Sequence, residues 1–233
     1  MVQKIIISNT DDSLQLVPEK TRIKSIKPES EIPPVKTETN TENNSSDLTF
    51  TDEEKRLMFE YELGLIESKE VRSFTEKCLL DAPEYFWYVP ASSTGKYHSK
   101  ESNGVGGLIN HVKMAVKVAR DLLRIEQYSD LLEKKDYIYS ALILHDIIKY
   151  GFEKGKWVLY EHPLLAQKYI LMESQKEYNK VEDWVELIGK LVSTHSGQWN
   201  TNHEGKVILN KPETPEEKFV HLCDYLASRN YIG

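Results

Sequence analysis

Two cysteines, Cys78 and Cys223, are all that the 233 residues contain. They are too few for a disulfide framework and too far apart for a paired-cysteine metal knuckle. Reduced, buried thiols in a cytosolic protein are the expectation. Long apolar runs are also missing. No stretch approaches the ~20 residues of a membrane span. The opening MVQKIIISNTDD has a three-residue apolar run followed by acids, which is no secretion signal. Positive charge is not in excess. The formal net charge of −7 argues against a broad nucleic-acid-binding face, yet it leaves room for a small basic pocket. A soluble, cytoplasmic protein without membrane contact is expected, and its oligomeric state is left open.

Aromatic residues are absent before Phe50, where Pro18, Pro28, Pro33 and Pro34 precede the polar run TETNTENNSSD. The mean hydropathy of −0.52 is low for a wholly globular chain. Residues 1–49 cannot bury enough apolar area to offset the entropy of ordering them. They are read as a disordered or extended tail, with a short strand at 4–8 as an option. Residues 50–233 are read as one helical domain.

That domain announces its helices locally. Thr51 and Glu54 form a capping box ahead of Leu57, Met58, Tyr61 and Leu65 at helical spacing. A second helix is expected over 70–80, stopping before Pro83. The aromatic, Gly- and Ser-rich stretch from Glu84 to Gly107 excludes a long helix. A third helix is expected over 108–126, with Leu108, Val112, Ala115, Ala119 and Leu122 as its buried stripe. A fourth spans 136–148. Lys154-Gly155 between aromatic and apolar residues suggests a small hairpin over 152–160. A fifth helix begins near His162, with Pro163 in the favoured first turn. A sixth covers 181–194. A second capping box, Thr214 with Glu217, opens a last helix running to about Arg229. No internal repeat is present. The fold class is all-α: a helical bundle with one small β-hairpin insertion.

The chemistry lies in the histidines, of which there are seven. A lone histidine on an apolar face is usually a hydrogen-bonded core residue. Here several stand at helix ends: His111 and His162 begin helices, while His145 and His195 end them. Such ends converge on one cavity in bundles that build metal sites. His145-Asp146 closes the apolar run from Ile138 to Leu144. Burying that pair uncompensated is costly, and a metal ion removes the cost. Asp224 flanks the apolar stripe of the last helix, where His221 one turn earlier could orient it toward a metal.

The order His111, His145-Asp146, Asp224 resembles the HD-domain phosphohydrolase superfamily. The flanking text is similar too: GGLINH at 106–111, LHDIIK at 144–149, EHP at 161–163, THSG at 194–197 and HLCDYLAS at 221–228. The likeness covers about residues 85–230. It implies that His111, His145, Asp146 and Asp224 hold one divalent ion, and that Asp146 bridges to a second completed by His162 and His195. Mn, Fe, Ni, Co, Zn or Mg would serve as the ions. Two such ions about 3.5–4 Å apart clamp a phosphate and activate water for in-line attack. Lys149, three residues after Asp146, would bind a phosphate oxygen and stabilise developing charge. Asp146 and Lys149 are thus the expected catalytic residues.

The segment Ser92-Ser93-Thr94-Gly95-Lys96-Tyr97-His98 lacks P-loop spacing. It is similar to text preceding the first ligand in the HD portion of bacterial 3′-to-5′ exoribonucleases, which makes Lys96 and His98 candidate substrate-binding residues beside Lys149. Trp199 and His203 could edge the same pocket. Tyr85, Phe86, Trp87 and Tyr88 are read as core packing. The implied activity is hydrolysis of a phosphate ester of a nucleotide or related small molecule. A 3′-to-5′ exonuclease on single-stranded RNA or DNA is the alternative, although residues 1–49 are too polar to supply an OB barrel. A non-catalytic nucleotide-binding or interaction module is the third reading.

Overall fold

In this computed structural model, which describes residues 49–93 and 102–229, seven α-helices succeed one another. They are α1 (Asp52–Gly64), α2 (Lys69–Leu80), α3 (Gly107–Leu122), α4 (Lys135–Leu144), α5 (His162–Tyr178), α6 (Asp183–Ser193) and α7 (Pro215–Ala227). Residues 1–48 of the expected tail, its optional strand, and Lys96 and His98 lie outside the described residues.

The bundle is organised around α4. Every residue from Ile138 to Leu144 is buried, as expected of a helix apolar all round. It packs against α2, α3, α6 and α7. Its one small polar interior residue, Ser140, meets Thr75 of α2 at 2.7 Å. Its first-turn Asp136 accepts from the backbone N–H groups of Glu67 and Ser68 at 3.0 and 2.7 Å. That carboxylate ties the α1–α2 loop to the start of α4. Ser68 in turn caps α2, so three elements are registered through one short segment.

The two capping boxes form. Thr51 and Glu54 exchange bonds at the start of α1, and Thr214 and Glu217 do so at the start of α7. Each such cap is worth about 1 kcal/mol. Both cysteines are buried and free. The aromatic stretch 84–88 turns as a short 3₁₀ segment, Glu84–Trp87, and enters the core. Trp87 sits edge-on to Phe59 and Phe86 at 5.9 and 5.3 Å between centroids. Tyr85 donates to the Gly151 carbonyl at 2.6 Å and accepts from the Tyr150 N–H at 3.3 Å. The aromatic segment therefore clamps the turn that follows His145-Asp146.

Four expectations about elements need correction. The third helix ends at Leu122, not 126, and a second 3₁₀ segment, Glu126–Lys134, follows it. The fourth ends at Leu144, one residue before His145. There His145 Nδ1 takes the Leu142 carbonyl at 2.7 Å, and the next peptides tighten to three-residue spacing: Ile147 to Leu144 and Lys149 to Asp146. No hairpin forms over 152–160. Those residues fold as turns, with Gly155 N–H bonded to the Tyr150 carbonyl at 2.8 Å and Leu159 N–H to that of Lys149 at 3.1 Å. Both bonds return the chain to the 149–150 turn rather than pairing two strands. The antiparallel bridge found among the described residues joins Thr201 to Val207 instead, around Gly205 at φ 78°. Last, the sixth and seventh helices are shorter than expected, at Asp183–Ser193 and Pro215–Ala227.

Candidate metal centre

The central helix delivers His145 and Asp146 to a buried point where α3, α5, α6 and α7 each contribute one more donor. Gly106 adopts φ 72° and Gly107 starts α3. A side chain at Gly107 would strike the Ser102 carbonyl, whose oxygen lies 2.1 Å from the Cβ position. This close approach sets the entry of α3 and so the place of His111, one turn in.

Asp146 bisects the cluster. Its Oδ2 lies 3.3 Å from His145 Nε2 and 3.6 Å from His111 Nε2. Its Oδ1 lies 3.0 Å from His162 Nε2 and 3.6 Å from His195 Nε2. The imidazoles are paired in the same way, with Nε2–Nε2 distances of 3.2 Å for His111 and His145 and 3.1 Å for His162 and His195. Asp224 Oδ1 closes the first pair, 2.9 Å from His111 and 3.5 Å from His145. Donor atoms of His111, His145 and Asp224 all lie within 4.8 Å of one another, as do those of His145, Asp146 and His195. His162 joins the second group through its contacts to His195 and Asp146. Asp224 keeps a fifth of its side chain exposed, and the other five are buried.

Ring orientation comes from one repeated device. His145, His162 and His195 each meet, through Nδ1, the carbonyl three residues earlier: Leu142, Leu159 and Val192, all at 2.7 Å. A carbonyl only accepts, so each Nδ1 carries a proton. In the neutral ring Nε2 is then a bare lone pair aimed at the centre. For His162 and His195 this sets two lone pairs 3.1 Å apart beside a carboxylate, which need positive charge between them. In addition, Asp146 Oδ1 is buried and accepts no hydrogen bond among the described residues. This donor set, imidazole and carboxylate, fits a divalent transition ion.

Without an ion, protons and Lys149 supply the positive charge. Burial disfavours a charged His145, but Asp146 and Asp224 outweigh it and hold the ring's pKa up to about 10. His195 is driven down to about 3 by burial and by the charge on His145. Burial also lowers His111, against the pull of Asp224. Burial would raise both carboxylates, yet Lys149 and His145 hold Asp146 well below the usual range, and His111 and His145 do so for Asp224. Lys149 Nζ donates to Asp146 Oδ2 at 2.5 Å.

Lys149 and His162 also line a cavity of about 380 Å³ that opens from the centre, with Ser92, Ser93, Tyr160, Ser196 and Trp199 on its walls. His203 is exposed and stands behind Tyr160, 6.1 Å between ring centroids. Tyr160 was not singled out from sequence. Its one signal was proximity to His162. The expected partner of Asp224 needs correction. His221 Nδ1 bonds the His195 carbonyl at 2.7 Å rather than the carboxylate, because Gly197 leaves room for its ring over the turn after α6.

A helical bundle whose helix ends gather four imidazoles and two carboxylates beside an open cavity defines a protein built to hold divalent cations. The HD domain profile matches residues 108–229, more than half of the chain. The chain belongs to the HD-domain superfamily of metal-dependent phosphohydrolases. No curated protein and no solved structure matches it.

Proposed function

We propose that this protein hydrolyses a phosphate ester of a nucleotide or related small molecule, using divalent ions held by His111, His145, Asp146, His162, His195 and Asp224. One observation carries the reading: the two oxygens of Asp146 each face one imidazole pair, and its neighbours Lys149 and His162 line a cavity. Ions bound there supply the positive charge that polarises a phosphoryl oxygen and makes water nucleophilic near neutral pH.

The chain's own residues do the rest. The three Nδ1–carbonyl bonds fix the rings in advance, so little reorganisation accompanies the reaction. Lys149 holds a proton-bearing Nζ at the boundary between Asp146 and the cavity. From there it can bind a phosphate oxygen and stabilise charge that grows on it. Burial of five of the six donors keeps bulk water from screening these interactions.

The test is incubation with Mn²⁺ and a panel of nucleotides, alongside labelled single-stranded RNA and DNA. Turnover of mononucleotides without shortening of strands is the expected result. Shortening without mononucleotide turnover would replace this reading with the 3′-to-5′ exonuclease. Inertness on both, with ions demonstrably bound, would leave a binding module.

A further inference from the structure

Exposed aromatic residues are ordinary when scattered singly. Two here are not scattered. Trp199 and Tyr160 are about half exposed, at 51% and 52%, and both line the cavity that holds Lys149 and His162. Each is backed by other rings. Trp199 stacks on Tyr225 at 5.4 Å and 19° and meets the His221 edge at 5.9 Å. The Arg229 guanidinium lies over Tyr225 at 4.1 Å and over Trp199 at 5.9 Å. His203 stands behind Tyr160.

An indole that is half open yet fixed on one face by a stack is an amphipathic plate held in place before any ligand arrives. Its support runs into the metal centre, because His221 also bonds the His195 carbonyl. The plate is therefore linked through His221 to the turn that carries His195. The cavity, about 380 Å³, lies within the usual range for small-ligand sites, about 300–1,000 Å³. Its lining is chemically mixed: the cation of Lys149, the rings of Trp199 and Tyr160, and the serines Ser92, Ser93 and Ser196. A ligand matching that lining carries a phosphate for Lys149, hydroxyls for the serines and a flat ring for the aromatic residues.

We infer that Trp199, with Tyr160 in support, is a stacking platform for the nucleobase of the substrate, and so separates nucleotides from base-free sugar phosphates. The inference rests on the phosphohydrolase reading for the position of the phosphate. The base belongs either to a free nucleotide or to the terminal residue of a strand.

The test compares the wild type, Trp199→Ala and Trp199→Phe on the four ribonucleoside 5′-monophosphates, ribose 5-phosphate and a short single-stranded oligoribonucleotide, all with Mn²⁺. Binding is read separately from turnover, through the quenching of the emission that Trp199→Phe removes. Loss of base stacking corresponds to about a 5- to 150-fold change in affinity. Trp199→Ala is expected to raise KM for nucleotides by a factor in that range, with kcat near wild type. Ribose 5-phosphate should be unaffected, and Trp199→Phe should recover most of the loss. Dependence on Trp199 for monophosphates assigns the base to a free nucleotide, and dependence for the oligonucleotide alone assigns it to a strand end. Equal loss on nucleotide and sugar phosphate, or no loss on either, overturns the platform while leaving the hydrolase intact. If nothing is turned over but nucleotides quench Trp199 and ribose 5-phosphate does not, the hydrolase reading falls and the platform stands. Absence of base-dependent quenching in that case overturns the platform too.

Discussion

His221 donates its Nδ1 proton to the backbone carbonyl of His195 at 2.7 Å. The two residues are 26 positions apart in sequence, so the bond ties α7 to the turn after α6. That turn is what aims His195, whose own Nδ1 takes the Val192 carbonyl. The contact exists because residue 197 is glycine. Gly197 sits at φ 58°, and a Cβ there would lie 2.2 Å from His221 Cε1. His221 therefore acts as a positioning residue through backbone, at one remove from the ions.

Two substitutions test that role. Gly197→Ala should weaken ion binding through both left-handed strain, about 1–2 kcal/mol, and displacement of the His221 ring. His221→Ala should lower affinity for the ion nearest His195 by about 10–100-fold, the usual effect of losing such an outer hydrogen bond. His221→Asn offers an N–H donor from a shorter side chain and should recover part of it. Calorimetric titration with Mn²⁺ reads all three, and far-UV dichroism checks that the helices persist. Wild-type affinity in both Gly197→Ala and His221→Ala would remove the positioning role.

Asp146 and Asp224 should differ in what their loss does. Asp146 faces both imidazole pairs, so Asp146→Asn is expected to abolish activity and most of the bound metal. Asp224 faces only His111 and His145, so Asp224→Asn should empty one site and spare much of the other. Metal content per chain, measured on protein with unchanged helicity, separates the cases. Full activity in Asp146→Asn would refute the site.

The legible and illegible parts of this chain divide by range of interaction. Capping boxes are local, closed between residues three apart, and Thr51 and Thr214 open α1 and α7 where the sequence places them. His111, His145-Asp146, His162 and His195 meet near helix ends, a pattern visible in spacing, whereas Asp224 lies inside α7 and its place beside them was implied by the family resemblance. The early end of α4 was not legible, since it depends on an imidazole taking a carbonyl from within the helix. Nor was the 152–160 turn. Lys154-Gly155 suits a hairpin locally, but Gly155 and Leu159 bond back to residues 150 and 149, and that return is tertiary. Tyr160 and Trp199 reach one cavity from separate segments, 39 positions apart, with no local sign of the meeting.

Ion binding should release a proton. The carboxylates of Asp146 and Asp224, against the cost of burial, hold His145 at about 10, so at pH 8 the metal-free ring is charged. A divalent ion at Nε2 takes that proton's place. The sign follows: affinity rises with pH up to about 10 and flattens above it. Titrations at pH 8 in buffers of different ionisation enthalpy should show close to one proton released per chain. Zero release would mean that His145 is neutral before the ion arrives.

Ions should also stabilise the fold, because they bind donors that come together only in the folded chain. For one site at a hundred times its Kd the gain is about 2.7 kcal/mol. For a domain of this size each kcal/mol moves Tm by roughly 2–4 °C, so a rise of roughly 5–10 °C is expected with Mn²⁺ and its reversal with EDTA. Asp146→Asn supplies the control. Removing one buried carboxylate from the cluster should make Tm nearly insensitive to both additions, while the capped helices α1 and α7, whose caps are remote from the donors, keep the protein folded. If wild-type Tm does not move under conditions where calorimetry shows the ion bound, the donors cannot be meeting at the point where Asp146 stands between its two imidazole pairs.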